Sequence, residues 1–287
     1  MSKRLSGSGI FTGFFALTII FQSVAFAKIE KFIGLPASQN TNLAFKLPET
    51  DKTEIILSRE QYLLSYNKET RTPNYVAWKL ETTNIGNSGR SNNFAIDEDL
   101  EAYLSESHQH AVDANDYRGS CFDRGHQVPS ADRTDTVANN ETTFLMSNML
   151  PQTAYLNRVI WEHLEQYSRD LVQKQGKKLF IVAGPIYDKA MGAIGPDRDI
   201  QVPSKNFKII YVLNANQSPS TIDAKTPSIA VIMPNILQSG SIDLSDKKEL
   251  CKPVTNGSAD RRDWEKYKTS LSEVERLSGL KFGSSKI

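Results

Sequence analysis

Apolar and polar residues alternate in short runs along this chain, and these runs predict β-strands. Residues 71–81, RTPNYVAWKLE, alternate as a strand with one buried face does. The remaining predicted strands lie in EIILSREQYLLSYN (54–67, two strands), TTFLMSNMLPQ (142–152, stopped by Pro151), KKLFIVAGPIY (177–187), NFKIIYVLNA (206–215) and SIAVIMP (228–234).

Two segments show the period of a helix instead. Residues 154–176, AYLNRVIWEHLEQYSRDLVQKQG, repeat apolar side chains at helical spacing and end at Gly176, which favours a stop. Residues 263–282, DWEKYKTSLSEVERLSGLKF, predict a late helix that stops at Gly279. Strands that cluster, with helices inserted at a few places, predict an α+β fold.

The N-terminus has the pattern of an export signal. Lys3 and Arg4 precede an apolar stretch, residues 10–27, which ends in small residues that a signal peptidase accepts. An uncleaved membrane anchor is the alternative, although polar residues dilute the apolar stretch. We predict a cleaved signal peptide (1–27), an N-terminal leader (28–50) and a single domain (51–287) that is periplasmic or secreted and not held in a membrane.

Composition and charge narrow the class of protein. The chain has 287 residues, 39% of them hydrophobic, which is enough for a core. Its formal net charge is +1, and loss of Lys3 and Arg4 with the signal peptide would make it about −1. The mature protein is therefore not a globally basic nucleic-acid-binding protein, and any phosphate it binds must be met by locally gathered cations.

The chain contains two cysteines, Cys121 and Cys251. In an oxidising compartment such a pair favours a disulfide that closes a long loop. The bridge would brace the segment just before Asp123. Two separate buried thiols are the alternative.

The segment SCFDRGHQVPSADR (120–133) puts an acid, a guanidinium, a glycine and an imidazole side by side. Gly125 allows backbone shapes that other residues resist, and a strand that ends here would present His126 at its rim. A neutral imidazole accepts protons near neutral pH, and Arg124 would reach the same ligand, which suits an anionic substrate. The alternative is a structural turn in which Asp123 pairs with Arg124.

Polar residues also recur on the first predicted helix. Asn157, Glu165 and Arg169 lie on one broad side, because steps of four residues drift only about 40° around a helix. An amide oxygen, a carboxylate and a guanidinium together suit a hard metal ion beside a phosphate. Eight residues of helix rise about 12 Å, so we expect Asn157 to bind an ion directly and Glu165 to act through metal-bound water. The alternative is a solvated helix face with a Glu165–Arg169 ion pair.

The segments DRGHQVPSADR and FLMSNMLPQTAYLNRVIWEHLEQYSRDL together resemble the DNA/RNA non-specific endonucleases of the ββα-metal superfamily. These are the secreted, sugar-nonspecific nucleases of the Serratia and Anabaena type. The predicted strands and the last helix resemble the framework of that family, so the resemblance covers most of the chain after residue 55. It implies one nuclease domain with a central, mainly antiparallel sheet, flanking helices and a strand–strand–helix metal site.

The resemblance also implies a role for each matching position. His126 matches the general base, and Asn157 matches the single protein ligand of one catalytic Mg²⁺ or Mn²⁺ ion. Glu165 matches a catalytic carboxylate that holds metal-bound water, and Asn148 matches an asparagine that organises the substrate-binding site. The catalytic arginines that match phosphate-binding residues are Arg90, Arg124 and Arg169, with Arg71 and Arg118 as alternatives to Arg90.

Such a site predicts a metal-dependent endonuclease that hydrolyses single- or double-stranded DNA and RNA with little sequence or sugar preference. His126 would deprotonate water, the ion would stabilise the leaving 3′-oxygen, and the resemblance implies 5′-phosphorylated products. Contacts to the phosphate backbone would explain the lack of sequence preference. The alternatives are a catalytically silent nucleic-acid-binding protein and a phosphodiesterase for a non-nucleic substrate. A protein inhibitor is compatible with such an enzyme, but no motif identifies one.

Overall fold

The computed structural model of the protein describes residues 29–44, 47–223, 225–255 and 261–282. The predicted signal peptide, residues 1–27, lies outside the described residues. Within the described ranges, no helix combines the length and the apolar character needed to span a membrane.

Strands and helices alternate irregularly along the chain. The strands are β1 (Ile29–Gly34), β2 (Glu54–Ser58), β3 (Leu63–Asn67), β4 (Thr72–Leu80), β5 (Asp123–His126), β6 (Met149–Gln152), β7 (Lys177–Ile186), β8 (Ala193–Ile194), β9 (Ile200–Gln201), β10 (Lys205–Asn214) and β11 (Ser228–Pro234). The α-helices are α1 (Glu98–Ser105), α2 (Val137–Thr142), α3 (Glu162–Gln175), α4 (Lys247–Leu250) and α5 (Leu271–Ser278). A π-helical turn at Leu156–Trp161 leads directly into α3. Short 3₁₀ helices lie at Ala37–Gln39, Thr82–Asn84, Ala114–Tyr117, Ser130–Asp132, Met146–Asn148, Pro219–Thr221 and Asp263–Tyr267.

A seven-stranded sheet forms the centre of the fold, in the order β1-β2-β3-β4-β7-β10-β11. Only the β1–β2 pair within this sheet is parallel, and the other neighbours are antiparallel. Strands β5 and β6 form a separate two-stranded sheet, as do β8 and β9. The structure therefore confirms the predicted α+β fold with a mainly antiparallel central sheet.

The two faces of the central sheet bury different sets of apolar side chains, because successive side chains of a strand point to opposite faces. On β10, Ile210 and Val212 belong to the core that α3 covers, and Ile209 and Tyr211 belong to the core that α5 covers. A third cluster lies outside the sheet and packs the segments around β5, β6, β8 and β9. The face covered by α3 is the one that carries the candidate site.

The structure differs from three of the sequence predictions. Part of the predicted leader, residues 28–50, is packed against the domain, since β1 extends the central sheet and Leu43 lies in its core. In the segment 142–152 only the last four residues form a strand, and Pro151 lies inside it, facing Arg124. Proline is tolerated there because this sheet has only two strands, so each strand is an edge.

The late helix predicted over residues 263–282 is divided into two pieces. A 3₁₀ helix at Asp263–Tyr267 comes first, and α5 follows after a break. The hydroxyl of Ser270 accepts a hydrogen bond from the backbone N–H of Glu273 and starts α5 as an N-cap. The predicted stop at Gly279 is confirmed, since this residue has a φ of 73° in the left-handed region.

Candidate active site

The DRGH segment forms β5, and the chain reaches α3 through β6 and the π-helical turn. In this pair Asp123 lies opposite Gln152 and His126 lies opposite Met149. The π-helical turn begins at Leu156, four residues after β6 ends. The structure thus has the strand–strand–helix arrangement that the sequence predicts.

Asp123 joins the first strand of this arrangement to its helix. Its Oδ2 accepts a hydrogen bond of 2.8 Å from Nδ2 of Asn157. Arg158 binds both carboxylate oxygens of Asp123, with N···O distances of 2.7 and 2.6 Å. Nδ2 of Asn157 is thus engaged by Asp123, whereas no described residue donates a hydrogen bond to its Oδ1.

His126 sits at the end of β5 between two phenylalanines. Its ring lies 5.5 Å from the ring of Phe94 and 4.8 Å from the ring of Phe144, edge to face in both cases. Only 8% of the residue is exposed, and no described residue forms a hydrogen bond with its Nε2. Burial, and secondarily the charge of Arg90, lowers the pKa of His126 to about 3. The imidazole is therefore neutral at physiological pH, which is the protonation state that a general base requires, although the same burial weakens its basicity.

Two of the predicted arginines lie around this imidazole, each stacked on one of the same phenylalanines. The guanidinium carbon of Arg124 lies 3.9 Å from the ring centre of Phe94, and that of Arg90 lies 4.9 Å from the ring centre of Phe144. The charge of Arg90 acts on both His126 and Glu165, which places these three groups in one electrostatic site.

The alternatives to Arg90 lie elsewhere or lack such contacts. Arg71 binds Asp199 at 2.5 Å and approaches Asp116 at 3.9 Å, next to the loop of residues 108–110. Arg118 is exposed in the turn before the disulfide. Among the described residues, Arg90 and Arg124 are the arginines that stack on the phenylalanines framing His126.

Glu165 lies under the site on α3, with its side chain 12% exposed. Its Oε1 is 3.5 Å from Nζ of Lys208, which comes from β10 in the central sheet. Burial raises the pKa of Glu165 to about 7, and the ammonium of Lys208 opposes that shift. A bound cation would act in the same direction as Lys208 and lower this pKa, because it stabilises the ionised carboxylate.

Arg169 is turned inward rather than toward the surface. Its Nη1 is 3.2 Å from Oδ1 of Asp132, its Nη2 is 3.2 Å from Oε1 of Gln166, and its side chain is 9% exposed. Asp132 also accepts a hydrogen bond of 3.0 Å from the indole of Trp78. Contact between Arg169 and a phosphate, as the sequence predicts, would require the guanidinium to leave Asp132, which is buried, and Gln166.

Asn148 is completely buried and binds only backbone. It accepts a hydrogen bond from the N–H of Val128 at 3.0 Å and donates to the carbonyls of Val128 and Thr143 at 3.1 and 2.9 Å. These bonds hold the chain just after His126. The geometry favours the organising role of Asn148 over direct contact with substrate.

Gly125 is required for a different reason from the one expected. Its φ is not in the left-handed region, and it lies in regular strand β5. A Cβ atom at this position would collide with the side chain of Gln152 on β6. Gln152 is completely buried and donates to Asn206 at 3.2 Å, so it cannot move aside easily.

The two cysteines form a disulfide, Cys121–Cys251. It links the residue two positions before Asp123 to the segment that follows α4. The chain between the two cysteines spans 130 positions, so the bridge closes a loop that contains β5, β6, α3 and much of the central sheet.

Sequence reasoning missed several residues of the site. Lys208 carries a signal in retrospect, since a lysine interrupts an apolar strand on the face that should be buried. Asp123 belonged to the DRGH motif, but its link to Asn157 depends on how β5 meets the helix. Phe94 and Phe144 gave no signal, because their contact with His126 is made across distant segments.

The comparisons with known proteins bear on this geometry. The profile of the DNA/RNA non-specific endonuclease family matches residues 38–286, most of the chain. This chain belongs to the DNA/RNA non-specific endonuclease family. A nuclease of Nostoc sp. is 40% identical to it over 230 residues, which cover 79% of this chain and 72% of that protein. A nuclease of Serratia marcescens is 29% identical over 180 residues, 61% of this chain and 65% of that protein.

Other members of the family extend the likeness. Human mitochondrial endonuclease G is 28% identical over 236 residues, 78% of this chain and 68% of that protein. The fold is also similar to that of a chain in the crystal structure of the EndoG/EndoGI complex, with a TM-score of 0.64, 24% identity and coverage of 87% and 93% of the two chains. As a member of this family, the protein is a nuclease, a hydrolase of nucleic acids, and the family generally depends on a metal ion.

Proposed function

We propose that this nuclease is an exported enzyme in which His126 is the general base and Asn157 is the protein ligand of one Mg²⁺ or Mn²⁺ ion. The observation that carries the proposal is the hydrogen bond between Asp123 and Asn157. It couples the strand that ends in His126 to the helix that supplies the amide.

The side chains around Asn157 fit a hard divalent ion. The amide oxygen has no hydrogen-bond partner among the described residues, and oxygen is the ligand atom that Mg²⁺ prefers. A single protein ligand would leave several waters on the ion, and Glu165 would accept a hydrogen bond from one of them. When bound, the ion would neutralise charge on the phosphate and stabilise the leaving 3′-oxygen.

The other residues act on water and on the phosphate. Neutral His126 accepts a proton from the attacking water, and Arg90 and Arg124 form charge-assisted hydrogen bonds with the phosphate oxygens. Arg169 and Asn148 support the site from below, Arg169 through its charge near Glu165 and Asn148 through the backbone after His126. Cleavage at the 3′-oxygen leaves 5′-phosphorylated products from single- or double-stranded DNA and RNA.

Export is supported by two observations. The first 27 residues have the pattern of a signal peptide, and the structure contains a disulfide, which persists in oxidising compartments. We place the mature protein in the periplasm or the medium. N-terminal sequencing of the protein recovered from these fractions should begin at Lys28, and recovery of the full-length chain from the cytoplasm would contradict export.

The base assignment is tested with purified mature protein and plasmid DNA. His126→Ala should reduce the nicking rate by about 10²-fold or more, because proton transfer by a positioned base contributes that much. His163→Ala is a matched control, since His163 also lies in this region but pairs with Asp263 at 3.0 Å. Equal rates for His126→Ala and the parent would remove His126 as the base.

The metal assignment is tested by the ion requirement. Chelation should abolish cleavage of DNA, RNA and a small phosphodiester alike, and Mg²⁺ or Mn²⁺ should restore it. Asn157→Ala should raise the Mn²⁺ concentration needed for half-maximal activity, whereas Asn157→Asp, which keeps an oxygen at the same place, should raise it less. An unchanged ion requirement in Asn157→Ala would contradict the assignment. Products should be ligatable without kinase treatment, as 5′-phosphates are.

A further inference from the structure

Lys208 is a buried lysine directly under the candidate site. It lies in the middle of β10, and only 1% of it is exposed. Alternation along the strand puts it on the same face as Ile210 and Val212, which pack toward α3. A lysine at this position is unusual, because the surrounding face of the sheet is apolar.

Burial of this ammonium group is costly and only partly compensated. Taking a charge out of water costs several kcal/mol in proteins, as an order of magnitude. Lys208 lies 3.5 Å from Glu165 and over two indoles, with its Nζ 4.1 Å from the ring centre of Trp161 and 5.5 Å from that of Trp78. A methionine of similar length would fill the same space without that cost, so stability alone does not account for the lysine.

Lys208 is the direct partner of the Glu165 carboxylate. Among the described residues, Lys208 is the one side chain that forms a hydrogen bond or ion pair with this carboxylate. The bond engages Oε1, and Oε2 forms no such bond and is not sealed from solvent. One oxygen is therefore anchored in the sheet and the other remains available to the site.

Arg169 cannot take over this anchoring role. Its guanidinium is bound to Asp132 at 3.2 Å and to Gln166 at 3.2 Å. Asp132 is itself held by Trp78 at 3.0 Å, so the arginine and Lys208 divide the two buried carboxylates between them. In direct contacts each carboxylate therefore has its own cation, while the charge of Arg169 also acts on Glu165 and that of Asp132 on Lys208.

We propose that Lys208 is a positioning residue, which holds the Glu165 carboxylate in the orientation that serves the catalytic cation. This inference rests on the proposed function, because it assumes that Glu165 binds a water ligand of the ion. Lys208 itself touches neither the substrate nor the ion.

The test compares Lys208→Met, Glu165→Gln and the double variant with the parent protein. Lys208→Met should lower kcat and weaken Mn²⁺ binding, measured by titration calorimetry without DNA, by about 10- to 100-fold, the usual effect of removing a group that orients a ligand. KM for DNA should change little, because the phosphate-binding arginines are untouched. Lys205→Met is the matched control, since Lys205 is on the same strand but pairs with Asp188 away from the site.

The double variant separates positioning from general stability. If Lys208 acts through Glu165, adding Lys208→Met to Glu165→Gln should change kcat and Mn²⁺ affinity by less than about twofold. A further tenfold loss in the double variant would overturn the inference. Should Lys208→Met alone fail to fold because Glu165 is left buried and unpaired, the comparison of Glu165→Gln with the double variant still decides, because neither contains that unpaired carboxylate.

Failure of the proposed function would look different. In that case the parent would cut DNA equally well with chelator, or His126→Ala would be as active as the parent. If the parent requires metal and the losses in kcat from Lys208→Met and Glu165→Gln add up in the double variant, the role of Lys208 is overturned and the proposed function is left intact.

Discussion

The Cys121–Cys251 disulfide should contribute most of its effect through the unfolded chain. The perturbation is the double substitution Cys121→Ser and Cys251→Ser, which removes the bridge and changes little else, since Cys121 is only half-buried and Cys251 is exposed. Cys121 has a φ of 65°, and serine would keep the same backbone, so that cost is present in both proteins and cancels.

The expected magnitude follows from the length of the closed loop. A separation of 130 positions removes enough loop-closure entropy from the unfolded chain to stabilise the fold by about 5 kcal/mol at 25 °C in the chain-entropy relation. Residual structure in the unfolded chain reduces this value, so we expect a loss of about 2–5 kcal/mol in the variant. The unfolded variant is also more expanded, so the dependence of stability on urea should become steeper.

The assay is equilibrium unfolding in urea, followed by tryptophan fluorescence, for the parent, the variant and the parent with reductant. The variant and the reduced parent should give the same free energy of unfolding. Below the transition, the nicking rate of the variant should stay near that of the parent, because Asp123 is still held by Asn157 and Arg158. Equal free energies of unfolding with and without the bridge would refute the entropic argument. A large loss of activity in the fully folded variant would show that the bridge itself shapes the site.

Three further results are expected. Gly125→Ala should lower stability by about 1–3 kcal/mol in thermal unfolding, because its Cβ overpacks the buried side chain of Gln152, and an unchanged Tm would contradict this. Asn148→Ala should lower kcat and leave KM nearly unchanged, because it frees the backbone after His126, the proposed base, without touching substrate. A change in KM alone would count against the organising role. The pKa of His126 is lowered to about 3 in the folded protein, from about 6.5 in the unfolded chain. Between these two pH values the unfolded chain binds a proton that the folded protein does not, so the free energy of unfolding should fall as pH decreases from about 6.5 to about 3. His126→Leu should make the free energy of unfolding less dependent on pH, as measured by urea titrations at several pH values. An identical pH dependence in the variant and the parent would rule out the contribution of His126.

Local patterns predicted most of the frame correctly. Alternation found β4 and the strands around it, because each has a face packed in one of the two cores of the sheet. Helical spacing found α3 and its end at Gly176, where a φ of 62° requires a residue that accepts the left-handed region. These features depend on neighbours in the sequence, which is why they were predictable.

Features that depend on distant contacts were not predictable in this way. The segment before β6 looked like strand, but it turns because Asn148 folds back onto the loop after His126. The inward direction of Arg169 depends on Asp132, which arrives from another part of the chain. The contact that anchors Glu165 comes from Lys208 on β10, 43 positions later in the sequence.

The widened turn at Leu156–Trp161 changes how residues should be counted along the helix that carries Asn157 and Glu165. A π-helical turn holds one residue more than a regular turn of similar span, so spacing rules based on 3.6 residues misplace Asn157 relative to Glu165. Deleting one residue here would convert the widened turn into a regular one and so change the turn that presents the amide of Asn157. Grafts of this motif onto new scaffolds must therefore preserve the surplus residue.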